Sequence, residues 1–124
     1  MKKPFKHFKD LRGEIQKFSY KGAEFNLIFT KKGAYRSGDV HKSAQYDMIL
    51  KGGFEITMRK GKKNVKIRAG KNRLVVIPKN TPHLFRAMKD SVMIEWWDGK
   101  FEAAYYMPYR KIVEESIARA KKGR

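Results

Sequence analysis

Between Glu14 and Tyr106 the chain never sustains a helical period. Short runs rich in Val, Ile, Phe and Tyr alternate instead with clusters of Gly, Asn, Lys and Pro. Runs of this length and composition are antiparallel strands. They fall at Glu14–Ser19, Glu24–Thr30, Gln45–Lys51, Phe54–Arg59, Asn64–Arg68, Arg73–Ile77, Leu84–Ala87, Ser91–Trp96 and Phe101–Tyr106. So many short strands at near-even spacing predict an all-β sandwich or closed barrel, because closure removes exposed strand edges. Gly52-Gly53 and the "KGKK" at 60–63 supply the positive-φ residues of tight hairpins. The first pair of glycines therefore predicts Gln45–Lys51 and Phe54–Arg59 as antiparallel neighbours, with Ile49 inward and Leu50 outward.

The period changes at Pro108. Tyr109, Ile112, Val113, Ser116, Ile117 and Ala120 fall on one helical face, Pro108 suits a first turn, and Lys121, Lys122 and Gly123 suit a C-terminal end. Residues 1–107 are thus expected as one barrel with a basic N-terminal segment, and 108–124 as an amphipathic helix packed on it or on a partner subunit.

With 124 residues the chain is one domain. No apolar run approaches the roughly 18 residues of a spanning helix, and a soluble, cytoplasmic protein without membrane partners is expected. The absence of cysteine excludes disulfides, thiolate metal sites and cysteine nucleophiles. Thirty Lys and Arg against twelve Asp and Glu give a formal charge of +18, which favours anionic partners. The basic residues are scattered over turns and termini, as on a solvated surface, and no nucleic-acid-binding motif accompanies them.

The chemistry concentrates in "RSGDVHKSAQYDMILKGG", residues 36–53. Alternate residues of a strand share a face, so Asp39 and His41 point together, as do Gln45, Asp47 and Ile49. That face carries polar groups into an interior, which is costly unless they bind one another, water, a metal or a ligand. A second polar element, "IPKNTPHLF", turns through Asn80 and presents His83 after Pro82. Arg36 and Arg73 are candidates for holding a phosphate or carboxylate. Trp96, Trp97 and the aromatic stretch after them suit barrel packing or a dimer face.

The two segments together resemble the cupin superfamily, whose motifs are H-x-H-x3-E-x6-G and G-x(5–7)-P-x-G-x-x-H. Asp39, His41, Gln45 and Gly52 keep the first spacing, and Gly70, Pro78, Asn80 and His83 the second, with Asn80 at a glycine turn position. The resemblance implies a double-stranded β-helix, the jelly-roll barrel of cupins, with a C-terminal α-helix. It also implies that Asp39, His41, Gln45 and His83 occupy metal-ligand positions, a set suited to Fe, Mn, Ni or Zn. A narrower resemblance links Asp10-Leu-Arg12-Gly13 and Arg36-Ser-Gly-Asp39-Val-His41-Lys42 to sugar-nucleotide epimerases and ketoisomerases of the same superfamily. Those enzymes work without metal, and here His41 and Asp39 would serve as acid and base; Asp47, at a usually apolar interior position, is either a catalytic or ligand-binding carboxylate or one paired with a nearby Lys or Arg.

The expected function is binding of a small, anionic molecule in the barrel of a homodimer. Three versions stand side by side: a metal-dependent protein, a metal-independent isomerase, and a binding module without turnover; a basic protein associated with nucleic acid is the further alternative.

Overall fold

A computed structural model describes residues 2–99 and 102–122. Eleven strands and one helix follow in order: β1 (Lys6–Asp10), β2 (Gly13–Tyr20), β3 (Ala23–Thr30), β4 (Tyr35–His41), β5 (Gln45–Lys51), β6 (Gly53–Lys60), β7 (Lys63–Gly70), β8 (Leu74–Ile77), β9 (His83–Ala87), β10 (Ser91–Trp97), β11 (Ala103–Tyr105) and α1 (Met107–Lys122). The last expected strand begins at Phe101, and the expected helix ends at 123–124; both places lie outside the described residues.

The strands form two antiparallel sheets, ordered β1-β2-β3-β10-β5-β8 and β11-β4-β9-β6-β7. Their facing sides make the barrel interior. Alternation sorts the side chains as the sequence predicts: on β5, Gln45, Asp47 and Ile49 are buried while Leu50 is exposed. Ile28, Ile49, Phe54, Ile56, Val75, Ile77, Phe85 and Met93 fill one part of the interior with a continuous apolar core.

One expected pairing is absent. β5 and β6 are not neighbours but lie in different sheets. Gly52-Gly53 is a corner, not a hairpin, and the chain crosses there from one sheet to the other. A Cβ on Gly52 would meet Ser91 Oγ at 2.3 Å and Asp90 O at 2.6 Å, so the corner is pressed against the start of β10. Ser91 Oγ clasps it by accepting from Gly53 N at 3.0 Å. The "KGKK" segment does make a hairpin, closing β6 on β7 with Lys60 opposite Lys63.

Two strands lie outside the runs that alternation marks. β1 is exposed along its whole length and is held by backbone pairing to β2, from Lys6–Lys17 to Asp10–Gly13. β4, "YRSGDVH", has a turn-like composition because it carries a bulge: its register against β9 shifts between Ser37 and Asp39, and Ser37 and Gly38 both have left-handed φ. The bulge changes the parity of the strand, so that Arg36 and Asp39, three residues apart, both reach the interior.

α1 packs on β4 and touches β9. Tyr109 and Val113 are buried against Leu84, with Tyr35, Tyr106 and Ile117 around them. Ile112, expected on this face, sits at its flank and is 36% exposed.

Candidate functional site

β4 and β9 are adjacent and antiparallel, with Asp39 directly opposite His83. The loop leading to β9 is pinned to β4, since Asn80 N donates to the His41 carbonyl at 2.7 Å. Asn80 adopts a left-handed φ of 58°, which its short polar side chain tolerates and which explains why it stands at a glycine position of the second motif. Two sequence segments some forty residues apart thereby deliver three ligand-type side chains to one point.

Asp39, His41 and His83 each offer one ligating atom, and these atoms lie within 4.8 Å of one another. Asp39 Oδ1 is 3.3 Å from His41 Nε2 and 3.1 Å from His83 Nε2. The two imidazoles stack at 5.1 Å between centroids, and the Trp97 indole lies 5.7 Å from His41. His83 is fully buried, and its Nδ1 donates to the Thr81 carbonyl at 2.9 Å. A carbonyl oxygen only accepts, so the proton on Nδ1 is fixed. In the neutral ring, Nε2 then turns a lone pair toward Asp39 Oδ1, and neither of these buried atoms has an aligned hydrogen-bond partner. Burial alone would raise the Asp39 pKa, but the close approach of the His41 and His83 imidazoles outweighs it and holds the carboxyl well below its ordinary range.

Gln45 does not join this set. Its Nε2 donates to Asp47 Oδ2 at 2.7 Å and to Glu95 Oε2 at 2.9 Å, and its Oε1 accepts from Trp97 Nε1 at 3.2 Å. The amide is consumed in bridging two carboxyls and an indole, which leaves three ligand-type residues where the sequence suggests four. Asp47, expected to reach the ligand, lies beneath Gln45 with no exposed surface and does not line the cavity. Burial, then the charge and hydrogen bond of Glu95, raise its pKa well above the ordinary carboxyl value, against the opposing bond from Gln45. Asp47 and Glu95 face each other across β5 and β10, so the Glu95 carboxyl disfavours a charge on Asp47.

Asp39, His41 and Gln45 open into a cavity of about 570 Å³ between the sheets. Lys9, Arg12, Lys17, Arg36 and Arg110 line it, against Asp10, Asp39 and Glu95. Arg36 is buried and tied to the barrel, donating from Nε to Thr30 Oγ1 at 2.6 Å and from a terminal nitrogen to the Phe29 carbonyl at 2.9 Å; burial and the nearby Arg12 bring its pKa down to about 10. Arg73 is not brought here. It is exposed in the turn between β7 and β8, where its carbonyl accepts from Ile49 N, at the far end of β5 from Gln45.

Several wall residues escape the motifs. Glu95 could be found as Asp47 was, by alternation: in "SVMIEWW" it shares the inward phase with Met93 and Trp97. Arg12 lies in the Asp10-Leu-Arg12-Gly13 element, where Asp10 accepts from Arg12 Nε at 3.0 Å and from a terminal nitrogen at 2.8 Å, forming a fork at the cavity edge. Arg110 comes from α1, which sequence periodicity assigns to packing; its guanidinium lies 4.5 Å over the Tyr105 ring and donates to the Ser37 carbonyl at 3.0 Å.

No protein-family model matches the chain, and no curated protein resembles it in sequence. Solved structures do resemble it. A variant of Bacillus subtilis oxalate decarboxylase superposes with a TM-score of 0.74 over 99% of this chain and 36% of its own, at 17% identity. The capsular polysaccharide assembling protein CapF from Staphylococcus aureus gives 0.71 over 82% of this chain and 32% of its own, at 18% identity. The chain spans about a third of the length of these proteins. Both neighbours are cupins. The chain has the cupin fold, a double-stranded β-helix with a C-terminal helix packed on β4.

Proposed function

We propose that this protein holds a divalent transition metal, of the Fe, Mn, Ni or Zn group, through Asp39, His41 and His83, and takes a small anionic ligand of the carboxylate class in the cavity beside it. The observation that carries this reading is the 3.1 Å approach of His83 Nε2 to Asp39 Oδ1 while His83 Nδ1 is committed to Thr81. Two lone pairs at that separation repel unless a metal ion or a proton on Nε2 lies with them. Imidazole nitrogens and a carboxylate oxygen are a donor set such metals accept, and the Nδ1 bond to a backbone carbonyl is the orienting contact a ligating histidine uses. A cation there would supply Lewis acidity and open positions to an anionic oxygen.

The chain's own residues account for the remainder. Lys17, Arg12 and Arg110 face the cavity with positive charge, Trp97 and Gln45 wall it beside His41, and Glu95 accepts from the Gln45 amide at its edge. The Mn(II) centres named for oxalate decarboxylase lend support, through a shared fold alone.

The test is a titration of metal-stripped protein with Mn²⁺ followed by water-proton relaxation, and then of the loaded protein with small carboxylates. Saturable uptake that disappears in His83→Ala, followed by loss of relaxation as carboxylate displaces water, is expected. A proton on His83 Nε2 would satisfy the same geometry. Anion binding without any metal uptake would therefore return the site to acid–base chemistry by Asp39 and His41 on a sugar nucleotide.

A further inference from the structure

The end of the barrel away from the candidate metal centre collects lysines. Four connections meet there: the β3–β4 loop brings Lys32, the β5–β6 corner Lys51, the β7–β8 turn Lys71 and the β9–β10 loop Lys89. These four exposed side chains, with Gly52 and Asp90, line a depression of about 520 Å³ that opens to solvent. Lys and Arg are 30 of the chain's 124 residues but four of the six that line this depression, more than the general basicity of the surface supplies.

The four connections are stitched to one another. Lys32 N donates to Asp90 Oδ1 at 2.9 Å, Gly33 N to the Ala87 carbonyl at 2.7 Å, Met88 N to the Gly53 carbonyl at 2.9 Å, and Asn72 N to the Ile49 carbonyl at 2.8 Å. The lysine stems therefore rise from one fixed platform. Asp90, the only acidic residue lining the depression, accepts a backbone bond, and among the described residues none of the four lysines is in an ion pair. Elsewhere carboxylates stand beside the cations: Asp10 by Arg12, Glu55 by Lys66 and Arg68, Glu114 by Arg110 and Glu115 by Lys111. Like charges gathered without a counter-charge destabilise the fold that gathers them, and a bound anion relieves that cost.

We propose that this end of the barrel is a second ligand site, which takes a compact oligophosphate group of the triphosphate kind, free or carried on a nucleotide. The residue type selects phosphate. An ammonium is a hydrated point charge on a flexible stem and meets a phosphate from any direction, whereas planar carboxylates favour the arginine fork. The amount of charge selects the chain of phosphates. Four lysines less Asp90 leave a net charge of +3, and a single phosphate group supplies only about −1.5 to −2. The setting selects a compact group over a nucleic-acid strand, because the exposed apolar neighbours on β5 and β8, Leu50 and Leu74, are aliphatic and offer no ring on which a base could stack. The site is separate from the metal centre: β5 carries Gln45 at one end and Lys51 at the other, about 20 Å away, with fully buried Ile49 between them.

Isothermal titration calorimetry of metal-stripped protein with inorganic tripolyphosphate, at low and high salt and against orthophosphate, tests this. Saturable binding of one equivalent per chain is expected, tighter than orthophosphate and weakening with salt. Lys51→Ala/Lys71→Ala alters exposed side chains alone, and is expected to keep the wild-type circular dichroism spectrum while losing affinity on the order of tenfold. Lys62→Ala/Lys63→Ala, which removes the same charge from the β6–β7 hairpin at the other end of the barrel, is expected to bind as the wild type does. Adenosine triphosphate bound no better than tripolyphosphate names the phosphate chain as the ligand, and tighter binding names a nucleotide; both uphold the site. A wild type that does not bind tripolyphosphate overturns the proposal, as does unchanged affinity in Lys51→Ala/Lys71→Ala or an equal loss in both double variants. Binding of a single-stranded oligonucleotide through Lys51 and Lys71 without binding of tripolyphosphate also overturns it and assigns this end to nucleic acid.

Discussion

Gly38 joins the helix, the bulge and the candidate metal centre, and replacing it with alanine should damage all three. Its φ is +74°, and a Cβ would stand 2.7 Å from Arg110 Cα and 2.8 Å from Arg110 N. The left-handed backbone costs an alanine about 1–2 kcal/mol. The contact is with backbone, about 0.7 Å inside ordinary van der Waals separation, so α1 or β4 must move as a unit. Movement of α1 loosens Tyr109 and Val113, whose burial contributes roughly 1.5–3 kcal/mol each, and losing a third to a half of that adds about 1–2 kcal/mol. The total, roughly 2–4 kcal/mol, lowers Tm by on the order of 10 °C in a domain of this size. Gly33→Ala is the internal control: its φ is +83° and nothing lies within 4 Å of its Cβ, so it should bear the backbone cost alone. Thermal unfolding by circular dichroism measures both, and a metal titration reads the displacement of Asp39, the next residue. The reasoning is refuted if Gly38→Ala loses no more stability than Gly33→Ala and binds metal as the wild type does.

Four further outcomes follow. Val113→Asp, at a position with no exposure, should cost about 3 kcal/mol or more, whereas Ile112→Asp on the exposed flank should change Tm by only a few degrees; thermal melts decide it. Asp39 has a depressed folded pKa, so in metal-free protein it contributes stability above the ordinary carboxyl range that is lost as pH falls below it; Asp39→Asn should be less stable than wild type at pH 7 and match it in acid. Asp47 has a raised folded pKa, so its sign is opposite: urea melts should find Asp47→Asn more stable than wild type at pH 7, with the advantage vanishing as pH approaches about 4. Gln45→Ala should retain metal binding, measured by the same titration, because its amide is engaged with Asp47, Glu95 and Trp97.

The parts of the fold legible in the sequence are those where burial imposes a period. β5, β8 and β10 announce themselves by alternation because one side of each faces the core. β1 buries nothing, and its backbone pairing with β2 leaves no trace in residue type. β4 is hidden by its bulge, since the Ser, Gly and Asp that bend it are also the residues of turns. Gly52-Gly53 misled because a tight hairpin and a corner between sheets both need glycine; what separates them is the approach of Ser91, distant in sequence.

The site follows the same logic. Asp39, His41 and His83 converge because motif spacing encodes strand geometry, which survives changes of ligand type. Spacing says nothing about where an amide turns once two carboxyls compete for it, so the engagement of Gln45 with Asp47, Glu95 and Trp97 is not legible in the motif. Arg73 suits a phosphate or carboxylate by residue type alone, and the turn between β7 and β8 puts it at the opposite end of β5 from Gln45. Arg110 was invisible as a wall residue because its helix docks through Tyr109 and Val113, and only the docked helix brings its guanidinium to the cavity.

The central claim is that Asp39, His41 and His83 form a metal centre, and metal content tests it most directly. Protein purified without an affinity tag, dialysed against a mixture of Mn²⁺, Fe²⁺, Ni²⁺ and Zn²⁺ and analysed by inductively coupled plasma mass spectrometry, should carry a single equivalent of transition metal per chain. His83→Ala, checked for native circular dichroism, should carry none. Wild-type protein with no more metal than the buffer, or a folded His83→Ala variant that keeps its full equivalent, would contradict the account.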